Sequence, residues 1–424
     1  MKLLIQNLAK IKSAEIELNG LTVIAGDNDT GKSTVGKVLY SMFNSFCNMS
    51  NIIRNQRCHG ISSVIMDVIS EYENFPYQRP TLLGRSFTDA YNLGKELENE
   101  LELSLNNILN KSREYVEKNY SFDIFDDAAR IDDIKSRVQV RLDITDGEIA
   151  RKRVGEFFYK VFKKQVNSLQ NNTVASVQML IKQQQIVAKI KDNSCFDSAI
   201  NFNLKHNAVY VDNPFVMDKL STKFVNVDNI IVYELVKRLR EHKNIDLVTD
   251  IVNEKALNQV MSIVDDVIPG DFVTNDGEFG LKKSGWNEPL NVGNLSTGVK
   301  AFGILKCLLQ NNQIEKQDVL ILDEPEIHLH PGWQLRYAEF LVLFQKAFDL
   351  TILLTTHSPY FLNAIEVYTA KYDSQDKVNY YQTELLNNGM ATLNEVTGQL
   401  NKIYSSMAAP FNLLDKMEQD LGME

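Results

Sequence analysis

Residues that could bind phosphate lie near the start of the chain, in the segment Gly26-Asp27-Asn28-Asp29-Thr30-Gly31-Lys32-Ser33. Its G-x-x-x-x-G-K-S spacing is that of a phosphate loop, in which glycines let backbone N–H groups turn towards a β-phosphate. The lysine reaches the β- and γ-phosphates, and the serine hydroxyl binds magnesium. The sequence therefore predicts a site for ATP and Mg²⁺. Its expected nucleotide-binding residues are Gly26, Asn28, Asp29, Thr30, Gly31, Lys32, Ser33 and Thr34.

Two carboxylates follow the apolar run Val319-Leu320-Ile321-Leu322, which is typical of a buried parallel strand. Ligands of α/β sheets lie at such strand ends. Asp323 would hold magnesium through water, and Glu324 would polarise the attacking water as the general base. Apolar strands commonly end in acidic residues without any catalytic role. The phosphate loop in the same chain favours the catalytic interpretation.

Ser296 and Gly298 belong to a third segment, Leu295-Ser296-Thr297-Gly298, which precedes a predicted helix. The helix N-terminus and the serine hydroxyl could bind a γ-phosphate. Taken alone, L-S-x-G is usually only a helix cap. A fourth segment, Ile352 to Thr356, is another predicted buried strand and leads into His357. An isolated histidine is more often structural, but its position at the end of a core strand favours contact with the γ-phosphate and the attacking water.

The pair His328 and His330 could suggest a metal site. We favour a structural role, because no third ligand at metal-binding spacing accompanies them apart from the acids of the nucleotide site.

The elements that must position these residues alternate between strand and helix. Apolar patterns predict strands at 2–8 and 21–25, a helix at 32–46, and strands at 177–181, 186–190 and 208–211. Asp276-Gly277 is a tight hairpin signal. The last third alternates helix and strand as an α/β sheet does. The sequence thus divides into six segments. They are an N-terminal core segment (1–60), a helical insertion (61–172), core strands (173–215), a helical lobe with a hairpin (216–294), a second core segment (295–370) and a tail region (371–424).

Composition limits the alternatives. The 424 residues are 44% hydrophobic, enough for a large buried core. No run reaches the roughly 20 apolar residues of a membrane span, and no signal peptide is evident, so a cytoplasmic location without membrane contact is expected. The four cysteines form no C-x-x-C pair, which predicts reduced thiols. The net charge of -10 opposes broad binding to phosphate backbones.

The four motifs in this order resemble the ABC-ATPase superfamily. The strings Leu295–Lys300, Asp323–Pro331 and Thr355–Pro359 resemble the branch that contains RecF, the SMC-type repair ATPases and the overcoming-lysogenization-defect (OLD) family. The resemblance implies an α/β fold: an ABC-type P-loop NTPase core with a mixed sheet, an antiparallel β subdomain and helical insertions. It also implies a dimer or higher oligomer in which Ser296 and Gly298 of one copy contact the nucleotide of another. The glutamine that usually follows a core strand in this superfamily has its nearest equivalent at Asp212 and Asn213.

Function is expected from the same resemblance. It implies a Mg²⁺-dependent ATPase that dimerises around ATP and controls a separate effector protein, such as a nuclease, in antiphage defence. One alternative is a nucleotide-gated scaffold that hardly hydrolyses ATP. Another is a RecF-like repair ATPase that binds DNA through its basic cluster, which comprises Arg151, Lys152, Arg153, Lys160, Lys163 and Lys164. In the absence of a partner, such a cluster is more often a solvated helix face.

Overall fold

The computed structural model describes residues 1–72, 80–100, 103–168, 170, 173–221, 229–246, 260–275 and 278–421. The chain forms two compact units. One consists of Met1–Cys47 with Val154–Glu424, and the other is Asn48–Arg153. All of the predicted site residues belong to the first unit. No helix in the described ranges is long and apolar enough to cross a membrane.

An eleven-stranded mixed sheet organises the first unit, in the order β6-β5-β4-β1-β2-β14-β13-β3-β12-β11-β7. Pairing is parallel from β13 through β3, β12 and β11 to β7, and antiparallel among β1, β2, β4, β5 and β6. The strands are β1 (Lys2–Leu8), β2 (Ile11–Glu17), β3 (Leu21–Ala25), β4 (Ala175–Ile181), β5 (Gln184–Lys191), β6 (Ser194–Ile200), β7 (Ala208–Val211), β11 (Val319–Asp323), β12 (Thr351–Thr356), β13 (Val378–Leu385) and β14 (Ala391–Glu395).

A three-stranded antiparallel sheet joins β8 (Asp271–Asn275), β9 (Glu278–Lys282) and β10 (Leu290–Asn291) in the order β10-β9-β8. Strands β8 and β9 pair on either side of the predicted Asp276-Gly277 turn. That turn itself lies outside the described residues.

The helices that complete the first unit are α1 (Lys32–Phe46), α7 (Ile230–Arg240), α8 (Thr297–Gln310), α9 (Pro331–Phe348), α10 (Pro359–Lys371) and α11 (Asn401–Leu421). Strands β3, β7, β11 and β12 are almost wholly buried, as expected for parallel strands covered on both faces. One apolar core includes Phe302 of α8, Phe340 of α9 and Phe361 of α10. This packing fixes the carboxyl ends of the parallel strands in one place.

The second unit is helical. Its helices are α2 (Met49–Tyr72), α3 (Pro80–Glu98), α4 (Leu105–Asn119) and α5 (Ala128–Asp143), and α6 (Asp146–Val161) begins in this unit and ends in the first. A separate apolar cluster holds these helices together through Ile61, Leu97, Val116 and Ile134, each of which is inaccessible to solvent. The unit therefore has its own core.

The predicted fold class is confirmed: the chain is α/β, with a large mixed sheet, an antiparallel part and helical insertions. The predicted elements at 2–8, 21–25 and 32–46 coincide with β1, β3 and α1. Strands β13 and β14, which fall in the expected tail region, were not predicted from the sequence. They lie inside the main sheet, between β3 and β2.

Candidate functional site

The phosphate-loop segment connects β3 directly to α1, as its spacing predicts. Gly26 and Gly31 both have positive φ angles, of 153° and 87°. A Cβ on Gly26 would lie 2.0 Å from Thr383 Oγ1, and one on Gly31 would lie 2.7 Å from Ile11 Cδ1. Neither position accepts a side chain without rearrangement. The loop conformation therefore requires these two glycines.

Lys32 is almost inaccessible to solvent, and its ammonium points into the loop. Lys32 Nζ donates to the carbonyl oxygens of Gly26 and Asp27, at 2.9 Å each. It also lies 3.2 Å from Glu324 Oε1. The structure thus places the loop lysine against the second carboxylate of the Val319–Glu324 segment.

The middle of the loop combines exposed and buried residues. Asn28 and Asp29 are exposed, and Asp29 forms an ion pair with Lys10. Thr30 is buried and donates to the carbonyl of Asp27 at 2.7 Å. Its hydroxyl accepts a hydrogen bond from Thr383 of β13 at 2.6 Å. The last strand pair of the chain therefore supports the loop from the side. Thr34, in the first turn of α1, is partly buried.

Three hydroxyl groups hold Asp323 at the end of β11. Its Oδ1 accepts hydrogen bonds from Ser33 Oγ at 3.0 Å and Thr355 Oγ1 at 2.6 Å. Its Oδ2 accepts from Tyr210 OH at 2.8 Å. Tyr210 lies in β7, and burial together with the charge of Asp323 raises the pKa of its phenol well above the usual value. The Ser33 hydroxyl and Asp323 carboxylate predicted to bind magnesium are thus in contact.

The chemistry of this donor pair fits Mg²⁺. Hydroxyl and carboxylate oxygens suit that ion, which usually binds one or two carboxylates together with substrate phosphates and water. Within the described ranges, no three His, Cys, Asp or Glu side chains group closely enough to hold a metal by themselves. Ser33 and Asp323 accordingly fit an ion that shares its remaining positions with a nucleotide.

Glu324 and His357 lie side by side at the ends of β11 and β12. Glu324 has a positive φ of 50°, and its backbone N–H donates to the carbonyl and hydroxyl oxygens of Thr355, at 3.2 and 3.0 Å. Such a backbone conformation is uncommon outside glycine and is often found at functional sites. His357 Nδ1 lies 3.5 Å from Glu324 Oε1. A carboxylate and an imidazole therefore lie next to the loop lysine.

Ser296 and Gly298 are set apart from that cluster. Ser296 is exposed and caps α8 by accepting a hydrogen bond from Val299 N at 3.4 Å. Among the hydrogen bonds and ion pairs of the described residues, none joins it to the phosphate loop. Gly298 is buried, and a Cβ there would lie 2.9 Å from two carbons of the Trp333 ring. The structure thus supplies a packing reason for this glycine.

The remaining predicted residues have identifiable surroundings. Asp212 directly follows β7, whose Val211 pairs with Leu322 of β11. Burial and the charge of Asp323 raise the pKa of the Asp212 carboxyl. His330 Nδ1 accepts from Gly332 N at 3.2 Å and caps α9. The ring of His328 stands edge-on to Phe215, with centroids 5.5 Å apart.

Four contributors were missed by sequence reasoning: Tyr210, Thr355, Thr383 and Glu326. Glu326 is 1% exposed and contacts the turn that carries His357. Its only sequence signal is a second glutamate two residues after Glu324. Tyr210 lies in an apolar strand and Thr383 in a strand of mixed polarity, and their partners are visible only once the strand order is known.

One family model and several solved structures match this chain. Residues 1–362 match the family model described as AAA_15, AAA ATPase domain. The SMC head domain from Thermotoga maritima is 11% identical over 93% of this chain and 98% of that chain, with a TM-score of 0.39. An SmcHead bound to the C-winged helix domain of ScpA is 10% identical over 93% of this chain and 96% of that chain, with a TM-score of 0.41. An Smc head domain with an extended coiled coil, bound to the C-terminal domain of ScpA and derived from Pyrococcus furiosus, is 10% identical over 98% of each chain, with a TM-score of 0.40. Because these TM-scores are low, the family assignment rests on the matched family model.

Proposed function

The chain belongs to the AAA ATPase domain family, and from this premise we propose that it hydrolyses ATP with the help of Mg²⁺ at the carboxyl ends of β3, β11 and β12. One observation carries the proposal. Ser33 contacts Asp323, and both Lys32 and His357 contact Glu324. The Thr355 hydroxyl joins the two sets, because it donates to Asp323 Oδ1 and accepts from the backbone N–H of Glu324. Each element of phosphoryl transfer to water has a residue in this set.

The roles follow from the positions of these residues. Backbone N–H groups of the loop and the N-terminus of α1 bind the phosphates, and Lys32 neutralises the charge of the β- and γ-phosphates. Ser33 and Asp323 would hold Mg²⁺, which would supply positive charge to the phosphate oxygens. Glu324 accepts the proton of the attacking water, and His357 contacts that water and the γ-phosphate.

The ion pair between Lys32 and Glu324 couples the binding of ATP to its hydrolysis. At 3.2 Å, the ammonium partly neutralises the carboxylate that must act as the base. A γ-phosphate bound by Lys32 competes for the same ammonium. Binding of ATP would therefore release Glu324 to accept a proton, which restricts base activity to the nucleotide-bound site.

Phosphate release from ATP tests this proposal. We expect turnover that requires Mg²⁺, no detectable ATP binding by Lys32→Ala, and unchanged binding and turnover in the control Lys12→Ala, whose side chain is exposed on β2. Turnover by Lys32→Ala at the wild-type rate would exclude the assigned loop, and absence of turnover in the wild type would exclude hydrolysis.

We further propose that Ser296 and Gly298 act on the nucleotide of a second copy, in a dimer that closes around ATP. The support is the position of Ser296, which is exposed at the N-terminus of a helix and makes no hydrogen bond to the loop of its own chain within the described residues. A helix N-terminus offers N–H groups and partial positive charge to a phosphate.

Mixing two inactive variants tests the dimer. Lys32→Ala breaks the loop, and Ser296→Ala breaks the opposing surface, so each alone should be inactive. Chains denatured together and refolded as an equal mixture should regain about a quarter of wild-type activity, because half of randomly formed dimers are mixed and keep one of two sites intact. No recovery in mixtures shown by mass to contain mixed dimers would refute a shared site.

The biological role we propose is control of a separate effector, such as a nuclease, in antiphage defence. The support is the resemblance of the Leu295–Lys300 and Asp323–Pro331 strings to the ATPase branch that contains RecF, the SMC-type repair ATPases and the OLD family. Co-expression with the product of the neighbouring gene, followed by mass measurement with and without ATP, tests it. A partner complex that responds to ATP is expected, and its absence from cells that express both genes would count against the role.

DNA binding is a second candidate role. The observation that favours it is the run of basic residues on α6 and the turn after it, where Lys160, Lys163 and Lys164 are exposed. ATP turnover should then rise with DNA and lose that response when these lysines become glutamine.

A scaffold that hardly hydrolyses ATP is distinguished by Glu324→Gln, which would leave the biological activity of such a scaffold intact.

A further inference from the structure

Glu326 is a buried glutamate in the loop between β11 and α9. Its side chain is 1% exposed, and burial raises the pKa of the carboxyl. Carboxylates are seldom buried without compensating contacts, because removal from water disfavours the charged form. One carboxyl oxygen has such contacts: Glu326 Oε1 accepts hydrogen bonds from Thr356 Oγ1 and, at 3.2 Å, from the backbone N–H of His357.

These two bonds belong to a network that fixes the turn 356–358. Thr356 Oγ1 also accepts from Ser358 N at 3.0 Å. Ser358 Oγ in turn donates to Gln334 Oε1 at 3.0 Å, and Gln334 Nε2 donates to the carbonyl of Leu329 at 3.2 Å. The turn that carries His357 is therefore fastened to the 324–330 loop and the start of α9.

Packing alone does not explain a glutamate at this position. Its other carboxyl oxygen, Oε2, is buried and has no hydrogen-bond partner among the described residues. An unsatisfied buried oxygen destabilises the fold, and an apolar side chain would avoid that cost. What only an acceptor provides is a bond to the His357 N–H and the Thr356 hydroxyl together.

We propose that Glu326 is a positioning residue for His357. By holding the backbone of the 356–358 turn, it sets His357 Nδ1 at 3.5 Å from Glu324 Oε1, where the imidazole faces the base and the attacking water. The inference rests on the proposed hydrolysis of ATP. Glu326 has no hydrogen bond or ion pair with the phosphate loop among the described residues. It therefore acts on the chemical step more than on nucleotide binding, which it can affect only through the contact of His357 with the γ-phosphate.

The test compares Glu326→Ala with Glu326→Gln, in kcat and in the Kd of ATP. The alanine variant loses both bonds, and we expect its kcat to fall about tenfold, since a positioned proton-transfer group typically contributes about 10²–10⁴-fold. Its Kd for ATP should change much less than its kcat, because the phosphate loop keeps all of its own contacts. Glutamine keeps an acceptor oxygen at the same place, so it should restore most of the kcat. Glu339→Ala is the matched control, because Glu339 is also a buried glutamate and is bonded to Lys371 and Tyr372.

A double-mutant cycle with His357→Ala identifies the route of the effect. If Glu326 acts through His357, Glu326→Ala should lower kcat no further in the His357→Ala background. An equal fall in both backgrounds, or a parallel loss of ATP affinity, overturns the inference. If Glu326→Ala does not fold, Thr356→Val replaces it. That variant removes one of the two donors at similar volume and should show the same split between kcat and Kd, and a wild-type kcat there overturns the inference. A wild type without turnover would instead refute the proposed function.

Discussion

Gly298→Ala separates two explanations of the glycine at the start of α8. If the glycine exists only to admit a nucleotide held by a second copy, an added methyl group should leave the isolated chain as stable as before. If Trp333 requires it, the methyl group should destabilise the chain without any nucleotide. The structure favours a requirement by Trp333, because the built Cβ lies 2.9 Å from Trp333 Cε3 and Cζ3.

The magnitude follows from that distance. Carbon atoms pack at about 3.5–4.0 Å, so one of the two groups must move. The partly buried Trp333 ring cannot move towards Phe302, which is fully buried and lies edge-on to it, with centroids 5.9 Å apart. Overpacking of this kind costs about 1–3 kcal/mol. Alanine gains up to about 1 kcal/mol over glycine within a helix, which offsets part of that cost.

Gly332→Ala is the control that cancels the stability which alanine gains over glycine within a helix. Both glycines occupy the second position of their helices, which begin at Thr297 and Pro331. A Cβ on Gly332 would meet only His330, at 3.5 Å or more. In urea denaturation, Gly298→Ala should therefore be about 1–3 kcal/mol less stable than Gly332→Ala. Adding Trp333→Leu should shrink the cost of Gly298→Ala. Equal stability of the two alanine variants would refute the packing explanation.

Two further predictions concern buried and titrating side chains. Tyr210→Phe should lower the free energy of unfolding by about 1.5–3 kcal/mol, because it removes a buried donor to the Asp323 carboxylate. The control Tyr381→Phe removes a buried acceptor of the Glu17 N–H group and should lower the free energy of unfolding by about 1 kcal/mol. Equal losses in urea denaturation would contradict the charge-assisted bond. The hydrogen bond to Asp318 raises the pKa of His206 above its ordinary 6.5, so their pair should stabilise the fold fully below that pH and lose its contribution as pH rises through the raised value. His206→Gln should remove this part of the pH dependence of the melting temperature, and an unchanged profile would contradict it.

The parts of the site that sequence predicts are local or end a strong apolar run. The segment Gly26–Ser33 carries its own spacing, and β3 and α1 flank it as expected. Asp323 and His357 follow apolar runs, and parallel pairing of Leu322 with Leu354 brings both to one edge of the sheet. These contacts were predictable because each depends on only a few residues next to the motif.

The parts that sequence does not predict depend on strand order. Strand β13 lies beside β3 although it comes late in the chain, and only that placement brings Thr383 to the phosphate loop. Tyr210 reaches Asp323 because β7 pairs with β11. Local periodicity predicts β7 but does not identify its neighbour, and it does not predict β13. The contact between Gly298 of α8 and Trp333 of α9 depends on how two helices pack, which the periodicity of each helix does not show.

Nucleotide retained by Glu324→Gln is the most direct measure of the central claim, that Glu324 drives hydrolysis at a site built around Lys32. The variant and the wild type are incubated with radiolabelled ATP and Mg²⁺, separated from free nucleotide, and their bound nucleotide is identified. Glu324→Gln should bind ATP at least as tightly as the wild type, because the competing carboxylate beside Lys32 is gone, and should retain it uncleaved, with turnover lowered about 10²–10⁴-fold. Bound ADP and a wild-type rate of phosphate release in the variant would contradict the account.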